Sequence, residues 1–248
     1  MEHCCAAGAP VALDFTPKGA MEVLVGDLNG YMVSGAKPAA IVIVPDIFGV
    51  SDEFPQIKQL ADRLSAATGY TACVIDTFRG QAWPMSKFPP KPEDNLMGWI
   101  QDKGAYDKVS QDVASAVAFL KGRGCGAFAA MGTCWGAAIA MQACGEAGTP
   151  FAACAGAHPS LFGRDKELAA ACRVPVALVS AKGDPLESVQ EVMDGRPELG
   201  PKCVFKRMDD MVHGFTAARG DFRDPLVCQR VGEAVQLLSG FFSATLGL

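Results

Sequence analysis

The strongest constraint on this chain is an alternation. Short apolar runs of strand length take turns with segments whose apolar residues recur every three or four positions. Residues 40–44 read Ala-Ile-Val-Ile-Val, too continuous for a strand with one wet face, and the run halts at Pro45, which cannot donate to a ladder. Further strands are expected at residues 71–75, 126–131, 151–155, 176–180 and 203–207. Between them, residues 53–67, 105–120 and 135–144 fit helices. Val109, Val113, Val117 and Leu120 mark the core-facing stripe of one helix, and Val227, Val231, Ala234, Leu238 and Phe241 mark a closing one. Strands buried on both faces and interleaved with helices specify the α/β class: a mostly parallel central sheet with helices on both faces. The exception is an expected N-terminal antiparallel hairpin from residues 21–25 and 31–33, separated by a segment holding Asn29-Gly30.

Residues 76–104 read as one long connection carrying Pro and Trp, a length that is usually functional or mobile. No internal repeat, low-complexity tract or rich linker divides the chain, so residues 1–248 are expected to form one domain, with residues 1–20 a loosely ordered N-terminal segment.

Composition removes several classes of function. A net charge of −5, from 22 Lys+Arg against 27 Asp+Glu, leaves no positive surplus for nucleic acid or an anionic membrane surface. No apolar run approaches the length of a membrane span, and the start lacks the basic and apolar regions of a signal peptide. The Cys4-Cys5 pair is a poor acylation signal beside Glu2. The ten cysteines include no C-x-x-C spacing, and Cys73, Cys144, Cys154 and Cys172 sit among small apolar residues, where free thiols pack as hydrophobes. A reducing, cytoplasmic setting is expected. Cys154 and His158 lack two further ligands at zinc spacing, so neither a metal nor another cofactor is expected.

The chemistry centres on Gly132-Thr133-Cys134-Trp135-Gly136, between an expected strand and an expected helix. A nucleophile on so sharp a turn has a strained backbone, and its neighbours two residues away must lack side chains for strand and helix to approach. With 27 Gly and 21 Ser or Cys residues, the bare pattern of a Ser or Cys between two such glycines arises by chance roughly 0.2 to 0.3 times in a chain of this composition, so context must decide. Asp184 and His213 supply it, each just past a later strand, where open α/β sheets gather functional groups. Their order, nucleophile then acid then histidine, is that of an α/β-hydrolase triad. His158 follows the strand after the elbow helix and is the less favoured base; a loop histidine hydrogen-bonded near the site mouth competes with a substrate contact there.

From about Val23 to Phe242 the chain resembles the dienelactone hydrolase family, carboxymethylenebutenolidase-like enzymes with Cys rather than Ser on the elbow. The marks are Pro45-Asp46-Ile47-Phe48-Gly49, Asp76 with Arg79, the elbow, Gly156-Ala157-His158-Pro159-Ser160, Gly183-Asp184, and His213-Gly214-Phe215 followed by Ala218-Arg219-Gly220. The resemblance implies an α/β-hydrolase fold and cleavage of a small ester or lactone, dienelactone-like and carboxylate-bearing. Cys134 then attacks, His213 moves the proton, Asp184 orients the imidazole, and the backbone N–H groups of Ile47 and Trp135 hold the oxyanion. It places Asp46, Arg79, His158 and Arg219 on the substrate side, with arginines suited to grip a carboxylate. Family enzymes from bacteria carry Glu where this chain has Asp46, and there the longer carboxylate partners the resting thiol. One methylene less removes about 1.5 Å of reach, which leaves open whether Asp46 touches Cys134.

Two other functions fit the same residues. A broad carboxylesterase or thioesterase is one, its acyl pocket shaped by Phe48, Trp83, Trp99, Phe162 and Phe215. A binding or redox-sensing protein on a hydrolase scaffold, with Cys134 as an oxidisable thiol, is the other. The expected partner is a small molecule, and the sequence leaves monomer and homodimer open.

Overall fold

The computed structural model describes residues 9–248, so His3 and the Cys4-Cys5 pair lie outside the described residues. Its strands are β1 (Ala20–Val25), β2 (Leu28–Val33), β3 (Ala39–Val44), β4 (Thr71–Ile75), β5 (Ala127–Thr133), β6 (Phe151–Ala157), β7 (Val176–Ala181) and β8 (Val204–Met208). They form one sheet in the order β1-β2-β4-β3-β5-β6-β7-β8. From β4 to β8 every pairing is parallel.

The opening hairpin is present, with two differences from the sequence reading. Its turn lies at Gly26-Asp27 between Val25 and Leu28, so Asn29 and Gly30 fall inside β2. Gly26 supplies φ 55°, which a two-residue hairpin turn demands of its first central residue. β2 then pairs antiparallel with β4, so the hairpin extends the parallel sheet and does not stand apart from it.

The helices are α1 (Gln56–Thr68), α2 (Leu96–Lys103), α3 (Tyr106–Gly122), α4 (Trp135–Gly145), α5 (Asp165–Ala171), α6 (Glu187–Asp194) and α7 (Pro225–Leu246). α1 starts later than its apolar pattern implies: Ser51 Oγ accepts from the N–H groups of Glu53 and Phe54, and the helix begins only after Pro55. It stops at Gly69, in the left-handed conformation. Within the long connection, Asn95 caps α2 through Gly98 N–H.

Each central strand feeds two cores. On β3, Ala40, Val42 and Val44 pack on one side with Val113 and Leu120 of α3, Ala137 of α4 and Val189 of α6. Ile41 and Ile43 pack on the other with Ile57 and Leu60 of α1 and Val231 and Leu238 of α7. That two-sided burial is why the strand reads as unbroken hydrophobicity. Residues 11–19 have no regular structure but are tied down. Val11 N–H bonds Ala218 O, Val11 O accepts from Gln56, Lys18 N–H reaches Asp62, and Gly19 N–H reaches the Tyr31 hydroxyl.

Register brings the functional loops to one end. Val44 lies opposite Gly132, Thr133 opposite Ala157, and Ala157 opposite Val179, so the loops after β3, β5, β6 and β7 leave the sheet at one level. There α4 presses on both strands beside it. A Cβ on Gly132 would stand 2.0 Å from Gly136 O, and one on Gly136 would stand 2.2 Å from Val44 O. Both obstacles are backbone. Gly136→Ala should therefore destabilise the fold by at least about 3 kcal/mol, read as the shift in a urea unfolding midpoint, whereas Gly122→Ala on α3, whose Cβ meets nothing, should shift it by under about 1 kcal/mol.

Candidate active site

Cys134 occupies φ 53°, ψ −122°, a conformation that costs a non-glycine residue about 1 to 3 kcal/mol. Three backbone hydrogen bonds hold it. Its N–H donates to Ala157 O at 3.1 Å, and its carbonyl accepts from Ala137 N–H at 3.2 Å and from Ser160 N–H at 2.9 Å. Cys134 lines a cavity together with Trp135, the first residue of α4.

Asp184 follows β7 and His213 follows β8. His213 Nδ1 donates to Asp184 Oδ1 at 2.7 Å, while Asp184 Oδ2 accepts from Ala181 N–H at 3.0 Å. Both residues are buried. With Nδ1 engaged, Nε2 faces the elbow, where it lies 3.5 Å from Ser160 Oγ. Ser160 Oγ in turn lies 3.6 Å from Cys134 Sγ. The structure thus brings Cys134, Asp184 and His213 together, with a serine hydroxyl between sulfur and imidazole. Ser160 was not singled out in the sequence. Its signal was its place two residues past the histidine of Gly156-Ala157-His158-Pro159-Ser160, on the loop that must lie beside the elbow.

Cys134, Ser160 and His213 open on one cavity of about 50 Å³, walled by Phe48, Phe88, Leu96, Ile100 and Phe162 with Arg219 at its side. The wall is mainly apolar. Phe88, Leu96 and Ile100 come from the long connection and α2, and Leu96 and Ile100 share a face because they are four apart on a helix. Phe48 and Phe162 were expected in such a wall; Trp83, Trp99 and Phe215 are packed elsewhere, Trp99 against Phe78 and Trp83. Ile47 and Trp135, whose N–H groups are the expected oxyanion donors, also line the cavity. Trp135 is the first residue of α4, so its N–H has no partner within the helix. Among the described residues no group of His, Cys, Asp and Glu could hold a metal ion, and no helix is long and apolar enough to cross a membrane.

A model of the dienelactone hydrolase family matches residues 28–245. The chain belongs to this family. It is 30% identical over 258 residues to an uncharacterized AIM2 family protein of Schizosaccharomyces pombe, covering 98% of this chain and 99% of that protein. Its fold matches a dienelactone hydrolase-like promiscuous phosphotriesterase from metagenomic libraries, with TM-score 0.61 and 19% identity, covering 93% of this chain and 98% of that one. It also matches a dienelactone hydrolase from Anabaena variabilis, with TM-score 0.59 and 16% identity over the same shares. The fold is that of the α/β-hydrolases, and the dienelactone hydrolase family places the chain among ester-type hydrolases.

The substrate-side residues expected from the family resemblance are placed in different ways. Asp46 lines the cavity, but its carboxylate accepts from Phe48 N–H at 2.8 Å and Ala218 N–H at 3.4 Å, which holds the loop carrying Ile47. Burial pushes its pKa up to about 6, against those two bonds and the nearby His213 and Arg219. Arg219 also lines the cavity, its guanidinium 5.7 Å from the Phe88 ring centre. Arg79 is not brought there. It turns into a two-point grip on Asp112, with Nε reaching Asp27, and lines a separate charged depression. The carboxylate it meets is the protein's own.

His158 neither lines the cavity nor sits at its mouth. A positive φ of 38° folds it inward, and its ring packs edge-on to His213 at 5.1 Å and to Phe215 at 6.0 Å. It is fully buried, and among the described residues neither ring nitrogen has a hydrogen-bond partner from another residue. Burial, with the His213 and Arg219 charges beside it, holds its pKa well below the usual histidine value. The unfolded chain therefore takes up a proton as pH falls through about 6.5, and the folded chain does not. Stability should fall on that account by about 1.4 kcal/mol per pH unit below 6.5. His158→Phe keeps ring and burial without the proton. Denaturant titrations at pH 5.0 to 7.5 should show a shallower acid loss in the variant; parallel curves would refute the assignment. Asp46, which gains its proton in the folded state as pH falls through about 6, works in the opposite direction in both proteins.

Proposed function

We propose that this chain hydrolyses small esters or lactones through an acyl-enzyme on Cys134, with His213 as base and acid and Asp184 as its orienting carboxylate. The observation that carries the reading is the single cavity onto which an elbow thiol and an aspartate-held imidazole both open. The thiolate attacks the acyl carbon, and the carbonyl electrons move onto oxygen. Backbone N–H groups of Ile47 and Trp135 receive that oxyanion, a contribution of about 3 to 4 kcal/mol per donor. Imidazolium then protonates the leaving alcohol, or in a lactone the ring oxygen, and leaves a thioester. Water, activated by the same imidazole, releases the acid and restores the thiol. Asp184 stabilises the imidazolium without taking the proton.

The cavity bears on the substrate. Its volume of about 50 Å³ lies far below the roughly 300 Å³ at which ordinary ligand pockets begin, so side chains of the wall must yield to admit a substrate. Arg219 is suited to meet an acidic group on the substrate, as in a dienelactone. The apolar remainder of the wall and the pairing of Arg79 with Asp112 favour a second reading within the same chemistry, a short-acyl carboxylesterase without need of a charged substrate.

Parallel assays on p-nitrophenyl acetate, p-nitrophenyl butyrate and a dienelactone separate the two. Cys134→Ala should lose at least about 1,000-fold in kcat/KM on whichever is turned over, and Cys134→Ser should retain only weak activity. Undiminished turnover by Cys134→Ala would remove the mechanism. Phe88→Ala, which removes a ring from the cavity wall, should raise the butyrate-to-acetate ratio of kcat/KM by about 10-fold, the scale of one or two methylenes in an apolar pocket.

A further inference from the structure

Resting on the cysteine acyl-enzyme reading, we infer that Ser160 is a further catalytic residue, whose hydroxyl partners the Cys134 thiol at rest and carries its proton to His213. The carboxylate that lies closest in sequence to such a role, Asp46, accepts from the Phe48 and Ala218 N–H groups. Among the described residues the hydrogen-bonding neighbour of Cys134 Sγ is Ser160 Oγ, at 3.6 Å. The same oxygen stands 3.5 Å from His213 Nε2.

The direction of the chain of donors is fixed from its far end. Asp184 is an acceptor, so in the neutral form of the imidazole Nδ1 carries the proton and Nε2 can accept one. The Ser160 O–H then donates to Nε2, and the Cys134 S–H donates to Ser160 Oγ. On transfer, the S–H bond breaks as a new O–H forms, and the old O–H breaks as an Nε2–H forms. Serine ends neutral, leaving a thiolate and an imidazolium. Both separations are long for hydrogen bonds, as catalytic contacts are before substrate closes a site.

Backbone geometry holds Ser160 in this position. Ser160 N–H donates to Cys134 O, Cys134 N–H donates to Ala157 O, and His158 N–H donates to Val179 O at 2.7 Å. Elbow and loop are thus cross-tied by bonds that need no serine side chain, so Ser160→Ala removes the hydroxyl without removing the scaffold.

The test measures two quantities on wild type, Ser160→Ala, and the isosteric pair Ser160→Thr and Ser160→Val. One is the burst rate of acylation by p-nitrophenyl acetate. The other is the pH midpoint for alkylation of Cys134 by iodoacetamide, read at its own peptide by mass spectrometry. Ser160→Ala and Ser160→Val should acylate about 100-fold more slowly and shift the midpoint upward by about one unit, while Ser160→Thr stays near wild type. A purely structural serine would leave the midpoint unmoved. An unmoved midpoint in Ser160→Ala, or equal losses in Thr and Val, overturns the relay. Cys134→Ala run alongside keeps the two readings apart: its loss of acylation with a normal Ser160→Ala rejects the relay alone, and its retention of acylation rejects the acyl-enzyme itself.

Discussion

The structure depends on one close approach, the packing of the first turn of α4 against the ends of β3 and β5. Gly132 and Gly136 leave no room for a methyl group on either side, and the closest atoms are main-chain oxygens that cannot rotate away. Because helix and strand touch backbone to backbone, the residue between them has no relaxed conformation open to it. Cys134 takes φ 53° for that reason, and its strain is offset by bonds to Ala157, Ala137 and Ser160. The sulfur's exposure at the cavity floor is a consequence of packing among small residues, and the rest of the site is arranged around a point that the packing has already fixed.

Around that point the protein keeps ionisable groups dry and few. Asp184, Asp46, His158, His213 and Arg219 are all at least nine-tenths buried. Where a carboxylate is buried, backbone N–H groups meet it: Ala181 for Asp184, and Phe48 and Ala218 for Asp46. His158 is held neutral by its burial and by the charges of His213 and Arg219 beside it. A neutral ring edge against His213 adds no charge to compete with the imidazolium that the proposed acyl transfer requires, whereas a second cation at 5.1 Å would oppose its formation.

Much of this was legible in the sequence because the strongest signals there are local. The buried run at residues 40–44, the Val109 to Leu120 stripe and the glycine spacing of the elbow each follow from a single element's sterics, and each appears where its pattern put it. Asp184 and His213 were legible for a topological reason, since parallel strands deliver their following loops to one end. What was hidden is side-chain direction within loops. Nothing in the order of residues says that Arg79, at φ 51°, turns toward Asp112, that His158 folds under His213, or that the hairpin turns at Gly26 and not at Asn29-Gly30. The short helices α2, α5 and α6 were missed because seven or eight residues carry too little periodicity to separate from a loop.

The shorter carboxylate at Asp46 connects these observations. An aspartate's reach ends at the N–H two residues on, and in that Asx-type turn it locks the loop that carries Ile47. A longer side chain at this position reaches past that N–H toward the sulfur, as the resemblance to bacterial family members implied. Shortening it changes two things together: the loop after β3 gains a fixed brace, and the thiol is left to a group from another loop. The group that lies there is a neutral hydroxyl from the loop after β6. A carboxylate beside a thiol opposes its ionisation until something moves the charge away, whereas a hydroxyl accepts the thiol proton and donates its own at no net change in charge. In this family member, on the relay proposed above, thiol activation requires no displacement of a buried anion.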